Sequence, residues 1–89
     1  MLSYRIFLAG ASGAIGRRLT PLLHGAGHYV CGSTRSKAKA DALRSLGADP
    51  VVVDVFDATA LSRAVASARP DVVINQLTDQ IFNHIFSNW

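Results

Sequence analysis

The stretch Gly10-Ala11-Ser12-Gly13-Ala14-Ile15-Gly16 sets three glycines at a G-x-x-G-x-x-G spacing. Glycines so placed let the backbone take positive φ, or come close to a bulky group that a Cβ would hold off. If the turn opens a helix, the free N–H groups and dipole of that helix attract negative charge. The chemistry implied is the binding of a phosphate or pyrophosphate, and the alternative is a structural glycine turn with no ligand. A Walker phosphate loop is excluded, because no G-K-[ST] follows. A second group of polar residues, Ser33-Thr34-Arg35-Ser36-Lys37, offers hydroxyls and cations but no carboxylate.

The charge distribution agrees with an anionic ligand. The first forty residues contain Arg5, Arg17, Arg18, Arg35, Lys37 and Lys39 and no acid, whereas three arginines face six aspartates from Asp41 onward. A positive N-terminal half raises the local concentration of anions. Nucleic acid is not expected, since the cations are not interleaved with aromatics and no helix-turn-helix or zinc signature occurs. No apolar run reaches the roughly 18 residues that a membrane span needs. No signal-peptide pattern opens the chain, and Cys31 has no second cysteine to pair with, so a cytoplasmic protein is expected. His24, His28 and His84 are scattered without ligating partners, which argues against a metal site.

These residues require elements to position them. Tyr4 to Ala9 is a short apolar run ending at glycine, read as a buried strand. Ile15, Leu19, Leu22 and Leu23 follow at helical spacing, with Pro21 expected to kink or shorten the helix and Gly25-Ala26-Gly27 to end it. His28 to Ser33 reads as a second strand. Ser36 is placed to cap a second helix running to about Leu46, with Ala38, Ala42, Leu43 and Leu46 inward and Gly47 at its end. Val51 to Val55 reads as strand three from its β-branched residues. Asp57 is placed to cap a third helix with Ala58, Leu61, Ala64, Val65 and Ala68 inward, Pro70 ends it, and Asp71 to Leu77 reads as strand four. The alternation of strands and helices predicts an α/β fold with a parallel sheet. Right-handed crossovers make 3-2-1-4 the natural strand order, so the expectation is a four-stranded half Rossmann fold with three helices and a helical C-terminal tail.

The string F-L-A-G-A-S-G-A-I-G-R-R-L resembles the N-terminus of the extended or atypical short-chain dehydrogenase/reductase superfamily, of the NAD-dependent epimerase/dehydratase type. The stretch T-P-L-L-H-G-A-G-H is similar to the end of the first helix in those proteins, and the likeness runs from residue 4 to about 78. It implies a dinucleotide-binding half-domain over residues 1–78, followed by an atypical apolar tail over 79–89. It implies a cofactor turn from Gly10 to Gly16, with the backbones of Ser12, Gly13 and Ile15 toward the pyrophosphate and a role for the Ser12 hydroxyl. Asp54 and Val55 would contact adenine, and Gln76 and Leu77 would line the ribose and nicotinamide side. An NAD site usually carries an acid after strand two, about 20 residues past the glycines, to hold the ribose 2′-hydroxyl. Here Thr34, Arg35 and Ser36 occupy that place, and the planar Arg35 fork suits a 2′-phosphate, so NADP is expected with NAD as the alternative.

The superfamily's catalytic Tyr-x-x-x-Lys pair is not found in this sequence. The expectation is therefore a binding module cut off before the catalytic residues, with a non-enzymatic dinucleotide sensor or a truncated product without activity as the alternatives. After Asp79 the texture changes: Ile81, Phe82, Ile85, Phe86 and Trp89 form a helical stripe. Such a stripe is expected to cover the sheet face that one helix leaves open, in its own subunit or across a homodimer, unless a missing C-terminal half does so.

Overall fold

A computed structural model of the chain describes residues 2–54 and 56–76. The expected tail helix over 79–89, Val55 and Leu77 lie outside the described residues. The elements run β1 (Arg5–Ala9), α1 (Ala14–Gly25), β2 (Tyr29–Thr34), α2 (Lys37–Ser45), β3 (Ala48–Val52), α3 (Ala58–Ala68) and β4 (Val72–Asn75). The strands form one four-stranded parallel sheet in the order β3-β2-β1-β4, the Rossmann-like arrangement expected. In register, Phe7 pairs with Cys31 and Val73, and Gly32 pairs with Pro50.

Alternate residues of each strand supply two cores. Phe7, Ala9 and Cys31 point to the face covered by α3, where Leu61 and Val65 are fully buried. Leu8 and Val30 point to the other face, with Leu43 of α2, Ala11 and Ala48. Burying Leu61 and Val65 contributes about 1.5–3 kcal/mol each, which makes α3 a substantial share of so small a core.

The helix starts follow the sequence: Ser36 Oγ accepts from Lys39 N at 3.3 Å, and Asp57 Oδ1 accepts from Ala60 N at 3.0 Å. The inward faces partly differ from expectation. On α1 the buried residues are Gly16 and Thr20, flanked by partly buried Leu19 and Leu23, while Ile15 and Leu22 are exposed. The cause is Gly16, which packs directly on Ala11 and so brings Thr20, one turn on, inward. The Thr20 hydroxyl is satisfied by donating to Gly16 O at 2.7 Å. Pro21 does not shorten α1, which continues to Gly25. On α2, Leu43 anchors the face with Ala40, while Ala38 and Ala42 are exposed; on α3, Ala58 is likewise exposed. Strand β3 begins at Ala48 and ends at Val52, ahead of the expected 51–55. Among the described residues it is an edge strand paired with β2 alone, so it tolerates Pro50, which lacks a ladder N–H.

Candidate functional site

The residues singled out by chemistry lie past the carboxyl ends of the strands, where ligands bind in open α/β sheets. The glycine turn joins β1 to α1, and two bonds from β2 hold it. Gly10 N donates to Ser33 Oγ, and Ala11 N donates to Ser33 O, each at 2.9 Å. Gly10 has φ 78°, a conformation that disfavours any side chain. Gly13 N then closes the turn on Gly10 O at 3.2 Å.

The three glycines answer different needs. Gly10 is required by its dihedral and Gly16 by packing, since a Cβ on Gly16 would lie 2.5 Å from Ala11 O. Gly13 has neither constraint: it is extended at φ −72° and ψ 173°, and a Cβ there meets only Gly10 O at 3.4 Å. Gly13 is the N-cap of α1, and no side chain caps that helix, unlike α2 and α3. The first-turn N–H groups of α1, at Ala14 and Ile15, are thus free of a side-chain acceptor at an exposed end bearing no acid. That end can hold an anion against the backbone.

Hydroxyls link this turn to the loop after β2. Thr34 Oγ1 donates to Ser12 Oγ at 3.0 Å and accepts from Ser36 N at 3.2 Å. Arg35 extends from this loop with about two-thirds of its side chain exposed, its Nε 3.9 Å from Asp54 Oδ1. Its guanidinium also stands 5.7 Å from the centre of the exposed Phe56 ring. Asp54 Oδ1 accepts from Phe56 N at 3.0 Å, which shapes the loop between β3 and α3. Gln76 N donates to Ala9 O at 2.8 Å, so Gln76 stands beside the start of the glycine turn. The turn, the Thr34–Ser36 loop, Asp54 and Gln76 therefore gather at one end of the sheet.

Two cations of the basic N-terminal half join them. Arg17 and Lys39 line a cavity of about 80 Å³ together with Ser12 and Leu43. The signal for Arg17 was its place directly after the third glycine, and for Lys39 its place three residues past the Ser36 cap. Gly32 belongs to the same packing: a Cβ there would meet Ala11 Cβ at 2.8 Å, so the small residue lets the turn lie against β2. Among the described residues, no group of three His, Cys, Asp or Glu side chains could hold a metal ion.

The opposite end of the sheet has a different character. Tyr29 donates its hydroxyl to Asp49 Oδ2 at 2.6 Å, and the Arg5 guanidinium stands 4.6 Å from the Tyr29 ring centre. The hydrogen bond to the Asp49 carboxylate, with burial and that carboxylate's charge adding to it, pushes the phenol up to about 12. Burial pushes the Cys31 thiol up as well. No helix of the described residues is long and apolar enough to cross a membrane.

A family model described as NAD(P)H-binding matches residues 10–83. A 3-diazoavenalumate denitrifying reductase from a Streptomyces species is 45% identical over 75 residues, which cover 83% of this chain and 23% of the relative. An oxidoreductase of the short chain dehydrogenase/reductase family from Burkholderia thailandensis aligns with a TM-score of 0.66 and 33% identity, over 76% of this chain and 29% of that structure. The Bordetella bronchiseptica enzyme WbmG, solved with NAD and UDP, shares the fold at a TM-score of 0.71 and 23% identity, over 85% of this chain and 25% of its own. The resemblance drawn from the glycine string is borne out by these relatives. The chain spans between 23% and 29% of the length of these three proteins.

Proposed function

Because the chain belongs to the NAD(P)H-binding family, we propose that the turn from Gly10 to Gly16, the Thr34–Ser36 loop, Asp54 and Gln76 hold the dinucleotide. In this reading they form the cofactor module of an epimerase/dehydratase-type reductase, and NADP is the preferred ligand over NAD. One observation carries the proposal: α1 opens at Gly13 with no side chain across its N-terminus, and a Cβ there would meet only Gly10 O, at 3.4 Å. A glycine that the fold itself does not need is accounted for by a ligand that must approach the backbone closely.

The residues fit a pyrophosphate flanked by a second phosphate. Gly13, Ser12 and the first turn of α1 would take the pyrophosphate, while Arg35 and the Ser36 loop would take a 2′-phosphate. Asp54, with the neighbouring Phe56 ring, would take adenine, and Val55 and Leu77 are carried over to adenine and nicotinamide from the superfamily alone. The preference for NADP rests on the absence of an acid in Ser33-Thr34-Arg35-Ser36-Lys37, since an acid there would repel a 2′-phosphate. When bound, the cofactor supplies hydride exchange at its nicotinamide. The superfamily's Tyr-x-x-x-Lys pair is not among these 89 residues, so the function proposed for them is binding. The nicotinamide end would be completed by residues outside these 89.

Calorimetric titration of the 89-residue chain with NADPH and NADH tests the reading. Saturable binding of both, tighter for NADPH, is the expected result. No binding of either would overturn it, and equal affinities would overturn the NADP preference.

A further inference from the structure

Thr34 lies at the end of β2 with only 4% of its surface exposed, and its hydroxyl sits between Ser12 of the glycine turn and Ser36 of the loop after β2. A backbone N–H can only donate, so the Ser36 N–H at 3.2 Å takes one lone pair of Thr34 Oγ1. The hydroxyl has one proton to give, and in a buried position that proton needs an acceptor. Ser12 Oγ receives it at 3.0 Å. Ser12 is then the acceptor inside the protein, and its own proton is left to point outward from the glycine turn. The order runs from the Ser36 N–H through Thr34 to Ser12, each step a donor to the next.

We infer that Thr34 is a positioning residue that makes Ser12 an obligate hydrogen-bond donor to the ligand's pyrophosphate while fixing the Ser36 backbone beside the 2′-phosphate. Phosphate oxygens accept and do not donate at neutral pH, so a serine whose proton is free matches them and one whose proton is used internally does not. The polarity also couples the two phosphates: an anion drawing on the Ser12 proton polarises the Thr34 hydroxyl, which strengthens its hold on the Ser36 N–H. Ser33 keeps the same turn in place through Gly10 N and Ala11 N, so Thr34 acts on the direction of the Ser12 proton and not on the path of the turn. This inference rests on the dinucleotide reading above.

Titration of the full 89-residue chain with NADPH, for wild type and the variants Thr34→Val, Thr34→Ser, Ser12→Ala and Ser12→Ala/Thr34→Val, tests it. Thr34→Val keeps the shape and removes the hydroxyl; it should weaken NADPH about tenfold, as should Ser12→Ala, the loss of one hydrogen bond to a charged group. Thr34→Ser restores the hydroxyl and should bind within about twofold of wild type. The double variant should be no weaker than either single one, because all three break the same chain of donors. Additive losses in the double variant, or Thr34→Ser as weak as Thr34→Val, would show a structural role for Thr34 and overturn the inference. If Thr34→Val fails to fold, Ser12→Ala binding as tightly as wild type overturns it by itself. Wild type that binds no dinucleotide overturns the dinucleotide reading and the inference together, whereas wild type and Thr34→Val binding alike overturn only the inference.

Discussion

A Cβ on Gly16 would stand 2.5 Å from the carbonyl oxygen of Ala11, closer than side chains and backbone approach one another in folded proteins. The first turn of α1 is therefore pressed onto the glycine turn at Ala11, which has no slack to give. Gly16→Ala is expected to destabilise the fold by about 1–3 kcal/mol, the range for overpacked sites, as measured by urea unfolding. Gly13→Val should behave in the opposite way, because Gly13 is extended and meets only Gly10 O at 3.4 Å. It should fold, by circular dichroism and melting, and lose dinucleotide binding. A Gly13→Val chain that binds NADPH normally would place the ligand elsewhere.

Arg35 is solvent-exposed and has a long 3.9 Å contact with Asp54 and the exposed Phe56 ring at 5.7 Å, so a 2′-phosphate would be a better partner than either. Arg35→Ala should weaken NADPH by about 1–3 kcal/mol and leave NADH nearly unchanged, since only NADPH carries that phosphate. Calorimetry that returns equal losses for both cofactors would remove Arg35 from phosphate recognition.

The Tyr29–Asp49 hydrogen bond at 2.6 Å predicts a pH dependence at the far end of the sheet. The Tyr29 phenol is pushed up to about 12 from 10.0 by that bond. A group with a raised folded pKa contributes stability that is fully present below the unfolded value and lost as pH rises through the folded one. Wild type should therefore exceed Tyr29→Phe in melting temperature at pH 9 by an amount that shrinks between about pH 10 and 12. A difference that stays constant across that window would mean that the hydrogen bond has no effect on stability.

Cys31 lies in the core under α3, and burial raises its thiol, so the reactive thiolate is scarce at neutral pH. A thiol reagent should label the folded chain slowly and the denatured chain at the rate of a free cysteine. Fast labelling of the folded chain at neutral pH would indicate that α3 opens readily from the sheet.

Much of this molecule is legible in the sequence. The glycine spacing, the Ser36 and Asp57 caps and the alternation of apolar runs are local features, and a helix cap or a parallel strand follows from short-range patterns that residues impose on their own neighbours. The strand order followed too, because the handedness of βαβ crossovers leaves few arrangements open. The glycine string by itself also pointed to the family. What the tertiary structure decided was everything set by contacts between elements distant in the chain. Which side of α1 faces inward depends on Gly16 meeting Ala11, so Ile15 and Leu22, apolar and helically spaced, are exposed while Thr20 is buried. The position of β3 depended on its pairing with β2 alone, which admits Pro50 at an edge and shifts the strand toward the N-terminus. The Thr34 hydroxyl meets Ser12 across 22 residues of chain, and no periodicity registers such a pair. Arg17 and Lys39 likewise reach the edge of the site only because α1 and α2 pack side by side on one face of the sheet.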